Sequence, residues 1–235
     1  MADTFTSPIA AVAATLLVFW MAQAVYARWT FPLFNPVLLS ILVLMGLLKA
    51  FQIPYERYNE GGKYISFLLG PAVVALGVPL YQQLDSLKRH GVSLALSLLL
   101  GSITGVVSAA GLAGLMGASR MMLISIAPKS VTTPIAMGIV EKLGGIPPLT
   151  ASLVILTGLL GAAVGPALLR LLGVTSPTAF GLAMGAAAHA IGTSRAMEDG
   201  SVQGASAGLA LCLNGIITAL LTPVLLKLLI IVMDS

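Results

Sequence analysis

Arg195, Lys129 and His189 stand beside the hydroxyl pairs Thr132-Thr133 and Thr193-Ser194, in two short polar strings of an otherwise apolar chain. The guanidinium of Arg195 is a fork suited to holding a carboxylate through two parallel bonds, and inside a membrane segment such a charge needs a cavity or a partner. Thr132, Thr133, Thr193 and Ser194 supply hydroxyl donors, while Lys129 and His189 could carry the remaining charge or a coupled proton. Asn214, midway along the last apolar stretch, either bonds across helices or faces the same cavity. The chemistry written in these residue types is the cradling of a small organic anion, with Arg195 on its carboxylate. The plainer reading has Lys129 and Arg195 reaching to the membrane interface, His189 packed, and the hydroxyls bonded back to their own helices. Glu198 joins Glu141 and Asp199 either as a structural partner of the cations or as a coupling site for a proton or sodium ion.

The two strings look like copies. Ile126-Ala127-Pro128-Lys129-Ser130-Val131-Thr132-Thr133-Pro134-Ile135-Ala136-Met137 recurs as Ala186-Ala187-Ala188-His189-Ala190-Ile191-Gly192-Thr193-Ser194-Arg195-Ala196-Met197. Lys129 falls opposite His189. Each string precedes an apolar stretch of helix length, so Thr157-Gly158, Pro166 and Arg170 stand opposite Asn214-Gly215, Pro223 and Lys227. A duplicated polar interruption in a membrane protein is the usual mark of a transport site.

What must hold these residues is a membrane scaffold. Hydrophobic residues make up 58% of the 235 and charged residues 9%, with a mean hydropathy of +1.02; a soluble domain has about a quarter of its positions charged. The net charge of +4 is spread singly or in pairs such as Lys88-Arg89, without a basic face, which excludes nucleic acid as a partner and leaves the lipid bilayer. Cys212 is the single cysteine, so no intrachain disulfide forms, and His90 and His189 lack Cys or carboxylate neighbours at ligand spacing. The reading therefore includes no metal and no cofactor. Gly204-x-Ser206-x-Gly208 matches a hydrolase elbow by accident, because that elbow needs a preceding strand and a His and acid in reach. With no phosphate-binding loop and no nucleophile–base pair, the chain reads as neither an ATP-driven pump nor an enzyme, and no residue is assigned a catalytic role.

A bilayer core of about 30 Å takes roughly 20 helical residues. That ruler marks stretches at 9–27, 36–51, 65–82, 91–117, 120–143, 148–172, 178–197 and 206–232. The first has Asp3 and no Lys or Arg before it and more spans after it, so it reads as a retained helix rather than a cleaved leader. The expectation is an all-α polytopic membrane protein of about eight segments, forming a single domain over 1–235, with N-terminal helices over 1–64 and the motif-bearing part over 65–235. Gly70-Pro71 and Pro79 break the third segment, Pro128 and Pro134 the fifth, and Gly181, Gly185 and Gly192 loosen the seventh. Irregular backbone at membrane depth must line a protein-enclosed or wet cavity, so segments five and seven are expected to be discontinuous or re-entrant helices. Pro71-Ala72-Val73-Val74-Ala75-Leu76 reads as a fainter third copy, and copies with an odd number of crossings would be inverted repeats meeting at the midplane.

Gly70-Pro71-Ala72-Val73-Val74-Ala75-Leu76, the 128–137 string, Gly144-Gly145-Ile146-Pro147 and His189-Ala190-Ile191-Gly192-Thr193-Ser194-Arg195-Ala196 together resemble the hallmark segments of the LrgB/CidB family, in the right order from about residue 65 onward. Ala190 stands where that family usually has Gly, and Ser194 where Ala is common. The resemblance implies a multi-pass protein of the bacterial inner (cytoplasmic) membrane. It implies a smaller LrgA/CidA-type membrane partner and an oligomer. The family was first described as antiholin-like, an effector of murein hydrolase activity and lysis. Its relatives also implicate it in moving small monocarboxylates of the glycolate, glycerate and pyruvate class. The sequence thus carries two expectations, a carboxylate carrier and a holin-like or antiholin-like pore or regulator.

Overall fold

The computed structural model describes residues 7–29, 34–75, 78, 81 and 84–234, and among them all regular structure is helical. These residues fall into two compact units, Met1–Val74 and Ala75–Ser235.

In the first unit, α1 (Pro8–Arg28), α2 (Pro36–Ala50) and α3 (Tyr55–Phe67) pack together, followed by the short α4 (Leu69–Ala75). Proline opens both α1 and α2, where a missing N–H costs nothing. Ser7 Oγ accepts from Ala10 N at 3.2 Å and Asn35 Oδ1 from Val37 N at 3.0 Å, satisfying helix-start donors that lipid could not. Gly61 lets α3 approach the backbone of α1 at Pro8, and Thr15 Oγ1 meets Tyr58 Oη at 2.8 Å.

The second unit is built on three long helices: α5 (Leu84–Leu115), α8 (Pro147–Leu171) and α10 (Ser201–Asp234). Together with α1, they contain the four stretches long and apolar enough to cross a membrane among the described residues: Pro8–Arg28, Gly91–Leu115, Pro147–Leu171 and Ser201–Val232. Buried hydroxyls tie the long helices to one another, as where Ser102 Oγ meets Thr218 Oγ1 at 2.6 Å between α5 and α10.

Four such stretches are fewer than the eight segments expected, and the difference has a physical cause. The fifth segment is two short helices, α6 (Arg120–Ile126) and α7 (Thr133–Leu143), separated by turns over 127–130, a bend at Val131 and extended backbone at Thr132. The chain has doubled back by the end of α7. There Ile146 N donates to Ser125 Oγ at 2.8 Å and Thr150 Oγ1 to the Ser125 carbonyl at 2.9 Å, although 21 residues of straight helix would set them roughly 30 Å apart. The seventh segment, α9 (Pro177–Asp199), contains non-helical backbone at Ala188 (φ −123°, ψ 16°) and His189 (φ 43°, ψ −133°). Gly192 there lies against the Met184 carbonyl, whereas eight residues of straight helix would separate them by roughly 12 Å. Both segments are helical hairpins, so neither makes one straight passage. The third segment, 65–82, is described as the end of α3 and as α4, and beyond Ala75 it lies largely outside the described residues. The second, α2, has 15 residues, short for a full span.

Candidate functional site

Prolines place the first hairpin tip. Pro128 and Pro134 cannot donate to a helix ladder, so α6 ends before the first and α7 starts with the second inside its first turn. The tip closes on itself through Ala127 N to Leu123 O (3.1 Å), Lys129 N to Ile126 O (3.1 Å) and Val131 N to Pro128 O (3.3 Å). Thr132 is the N-cap of α7, yet its hydroxyl does not cap. Thr132 Oγ1 is shut off from solvent and has no partner among the described residues. Lys129 is half-buried, donates to Ser130 Oγ at 3.3 Å, and pairs with no carboxylate among the described residues. A half-buried ammonium without a counter-ion favours an anion nearby.

The second tip is held from outside. His189 is 3% exposed and has a φ that a non-glycine residue adopts only under constraint. Its Nε2 bonds the Val154 carbonyl of α8 at 2.8 Å, and the ring lies over Gly158, where a Cβ would stand 2.6 Å from Cε1. Breaking the helix frees carbonyls. Asn214 Nδ2 of α10 donates to that of Ala186 at 3.0 Å, and Thr193 Oγ1 donates to that of His189 at 2.9 Å. Gly185 and Gly181 let the first half of α9 lie against the α10 backbone at Ala207 and Gln203.

The two tips meet. Val131 of the first packs in one cluster with Val154 of α8, whose carbonyl holds His189 of the second. Lys129 lies within electrostatic range of the His189 ring. Ile135, at the start of α7, reaches the place where a side chain on Gly215 would begin, 2.8 Å from that Cβ and beside Asn214. Ser130 Oγ approaches Gly105 of α5 to 3.5 Å of an ideal Cβ. Gly105, Val154 and Asn214 lie well inside their stretches Gly91–Leu115, Pro147–Leu171 and Ser201–Val232, so both tips pack against the inner parts of helices long enough to span.

This junction gathers Lys129, Thr132, Thr133, His189, Thr193 and Asn214. It does not gather all the expected residues. Ser194 is exposed while its neighbours Gly192 and Thr193 are buried, which puts its hydroxyl on the other face of α9. Arg195 is occupied within its own helix: Nη1 lies 3.3 Å from Glu198 Oε2 and 3.3 Å from Asp199 Oδ2. Glu198 and Asp199 thus stand as carboxylate partners of the cation, at the i+3 and i+4 spacing that faces it. Sequence reasoning missed Val154, whose contribution is a backbone carbonyl, and marked Gly158 only as the counterpart of Gly215, without the site role that its absent side chain gives it. The 470 Å³ cavity among Ala14, Leu44, Leu48, Ile53, Arg57 and Tyr58 belongs to the first unit and touches none of the motif residues. Among the described residues no three His, Cys, Asp or Glu side chains lie together as metal ligands.

Comparison with known proteins agrees on kinship. A Bacillus subtilis protein, YwbG, is 39% identical over 213 residues, covering 91% of this chain and 95% of the relative. A Haemophilus influenzae protein is 38% identical over 214 residues, 91% and 93% of the two chains. A Bacillus mycoides protein named antiholin-like protein LrgB is 34% identical over 224 residues, 95% and 97% of the two. No solved structure matches. The LrgB-like family model covers residues 15–228, and with helices of spanning length on both sides of the hairpins the chain is a multi-pass α-helical membrane protein belonging to the LrgB-like family.

Proposed function

We propose that this protein is a carrier of small monocarboxylates, of the glycolate, glycerate or pyruvate class, in the bacterial inner membrane. One observation carries the reading: two helical hairpins bring their tips to the same residue, Val154, well inside a helix of spanning length, beside a half-buried cation that pairs with no carboxylate among the described residues. Broken helices meeting at mid-depth turn unpaired backbone and helix ends toward one point, which is how transporters hold ions and substrates. Lys129, the hydroxyls of Thr132, Thr133 and Thr193, and Asn214 form the cradle, with His189 holding the second tip in place or coupling charge. Arg195 stands outside that cradle, paired with Glu198 and Asp199, and takes the substrate carboxylate in their place only before or after the cradle holds it. The hairpins with their following helices are the two copies of an inverted repeat. Their support is that Gly158 of α8 seats the second tip while Gly215 of α10, its counterpart in the sequence, seats the first. A smaller LrgA/CidA-type chain and self-association complete the assembly.

A second reading is favoured by the names of the Bacillus mycoides and Bacillus cereus relatives, which are antiholin-like protein LrgB and speak for it more directly than for a carrier. In it the protein is a pore or a regulator of murein hydrolase activity and lysis. Counterflow of labelled glycolate and pyruvate in proteoliposomes separates the two. Saturable exchange that unlabelled carboxylates compete away is expected of the carrier. Nonselective leak of a trapped dye, without saturation, would replace it by the pore.

A further inference from the structure

The 470 Å³ cavity of the first unit takes no part in the hairpin junction. One stretch of its wall is apolar: Ala10 and Ala14, one turn apart on α1, line it together with Leu44, Leu48 and Phe51 from one face of α2. Its other end is polar. The turn 51–54 joins α2 to α3 there, and Arg57 stands in the first turn of α3. Lys49 in the last turn of α2, with Glu56, Arg57, Glu60 and Lys63 along α3, marks that end as the water boundary of the unit. Arg57 is exposed and pairs with no carboxylate among the described residues, although Glu56 and Glu60 lie on its own helix. The joining turn is closed by Gln52 N to Lys49 O (3.3 Å) and Ile53 N to Leu48 O (2.9 Å), the paired bonds that end a helix through a left-handed residue. Glycine is the usual occupant of that position, yet Gln52 holds it at φ 53° and lines the cavity. Tyr58 is already engaged. Thr15 Oγ1 donates to the Ala11 carbonyl at 2.7 Å, so the proton between Thr15 and Tyr58 Oη, 2.8 Å apart, is the tyrosine's. Tyr58 ties α3 to α1 and leaves Arg57 and Gln52 as the free side-chain donors among the described lining residues.

The size of the cavity selects its occupant. A helix about 10 Å across would fill the volume with roughly one turn, too little to seat a partner's span. Spread over one leaflet, about 15 Å or half the hydrocarbon core, the same volume is roughly 6 Å wide, room for one hydrocarbon chain. We propose that this cavity is a site for an anionic phospholipid: one acyl chain lies between α1 and α2, and the headgroup phosphate rests on the Arg57 guanidinium, whose fork matches two phosphate oxygens. Gln52 adds an amide N–H beside it. The site is separate from the hairpin junction and independent of the function that junction performs.

The test is native mass spectrometry of the full chain in detergent, titrated with phosphatidylglycerol or with phosphatidylcholine of the same acyl chains, whose choline cancels the phosphate charge. The expected result is one lipid held per chain, with half-saturation about fivefold lower for phosphatidylglycerol, the discrimination one interfacial cation gives. Arg57→Gln should bring the two lipids to equal half-saturation while one is still held. Ala14→Leu, at an exposed position on the cavity wall, should weaken both at least about tenfold by filling the space of the chain. Equal binding of the two lipids by the wild type, or a preference that Arg57→Gln leaves unchanged, overturns the headgroup contact and with it the proposal. Lipid retention that Ala14→Leu does not weaken overturns it by placing the lipid elsewhere. A dimer that Ala14→Leu converts to monomer, with no lipid held by the wild type, overturns it in favour of a second copy of this chain.

Discussion

The first hairpin tip uses six residues, 127–132, to reverse the chain, and prolines at Pro128 and Pro134 end its helices for it. The second reverses at Ala188-His189 with no proline, and forces a histidine to φ 43°. The first satisfies its backbone from within, by turn bonds, and leaves a threonine hydroxyl over. The second borrows: a ring bond to Val154, an amide from Asn214 and a hydroxyl from Thr193 hold it open. A self-supporting tip can keep an unmet polar atom for a ligand, whereas a tip held by its neighbours is only as stable as they are.

That contrast ranks the consequences of substitution. Gly158→Ala drives a methyl into the His189 ring, which is pinned between α8 and its own strained backbone; it should cost about 2–3 kcal/mol and lower the unfolding temperature in detergent. The counterpart Gly215→Ala meets only the flexible end of Ile135 and should cost less than about 1 kcal/mol. Equal losses would erase the distinction between the tips.

His189→Ala removes the ring bond and keeps the positive φ, whereas His189→Gly removes the bond and relieves the backbone. The glycine variant should be the more stable of the two by about 1 kcal/mol in the same assay. A more stable alanine variant would mean that the second tip is not strained. Thr193→Val, which frees the His189 carbonyl, should cost about 1 kcal/mol. Thr132→Val removes a hydroxyl that bonds nothing among the described residues and should change stability by less than about 0.5 kcal/mol, while counterflow falls about tenfold. Loss of stability without loss of exchange would make Thr132 structural and end the ligand role of the first tip.

The smallest stability effect is expected at Arg195→Ala. Its pairs to Glu198 and Asp199 are partly exposed, with side chains 41% and 32% accessible, and such pairs contribute about 0.5 kcal/mol or less. Exchange measured on that folded variant decides its role: unchanged affinity for the substrate would remove Arg195 from the carboxylate and leave it a structural cation.

Much of this was legible from residue types. Pro128 and Pro134 announced the first break because a missing N–H ends a helix wherever it occurs, while Glu198 stood open between partner of a cation and coupling site until the fold set it and Asp199 on the face of Arg195. The second break was legible only as a looseness of glycines; its hinge is His189, a residue with no intrinsic liking for that backbone. The count of segments was misread for a physical reason. Two half-helices of a hairpin add up to the length of one span, so a length ruler scores them alike, and apolar composition does not tell a chain that crosses from one that turns back.

The sequence by itself determined that the chain lives in lipid, that it is helical, and that polar chemistry is confined to two short strings, because the cost of burying charge and unpaired peptide groups in hydrocarbon leaves little choice. Only the tertiary structure decided that the strings are hairpin tips sharing Val154 as a neighbour, that α8 supplies a carbonyl to one of them, and that Asn214 and Thr132 each keep an oxygen without a partner among the described residues. Those facts depend on which backbones come close enough to bond, and closeness across helices is set by the packing of small residues far apart in the chain.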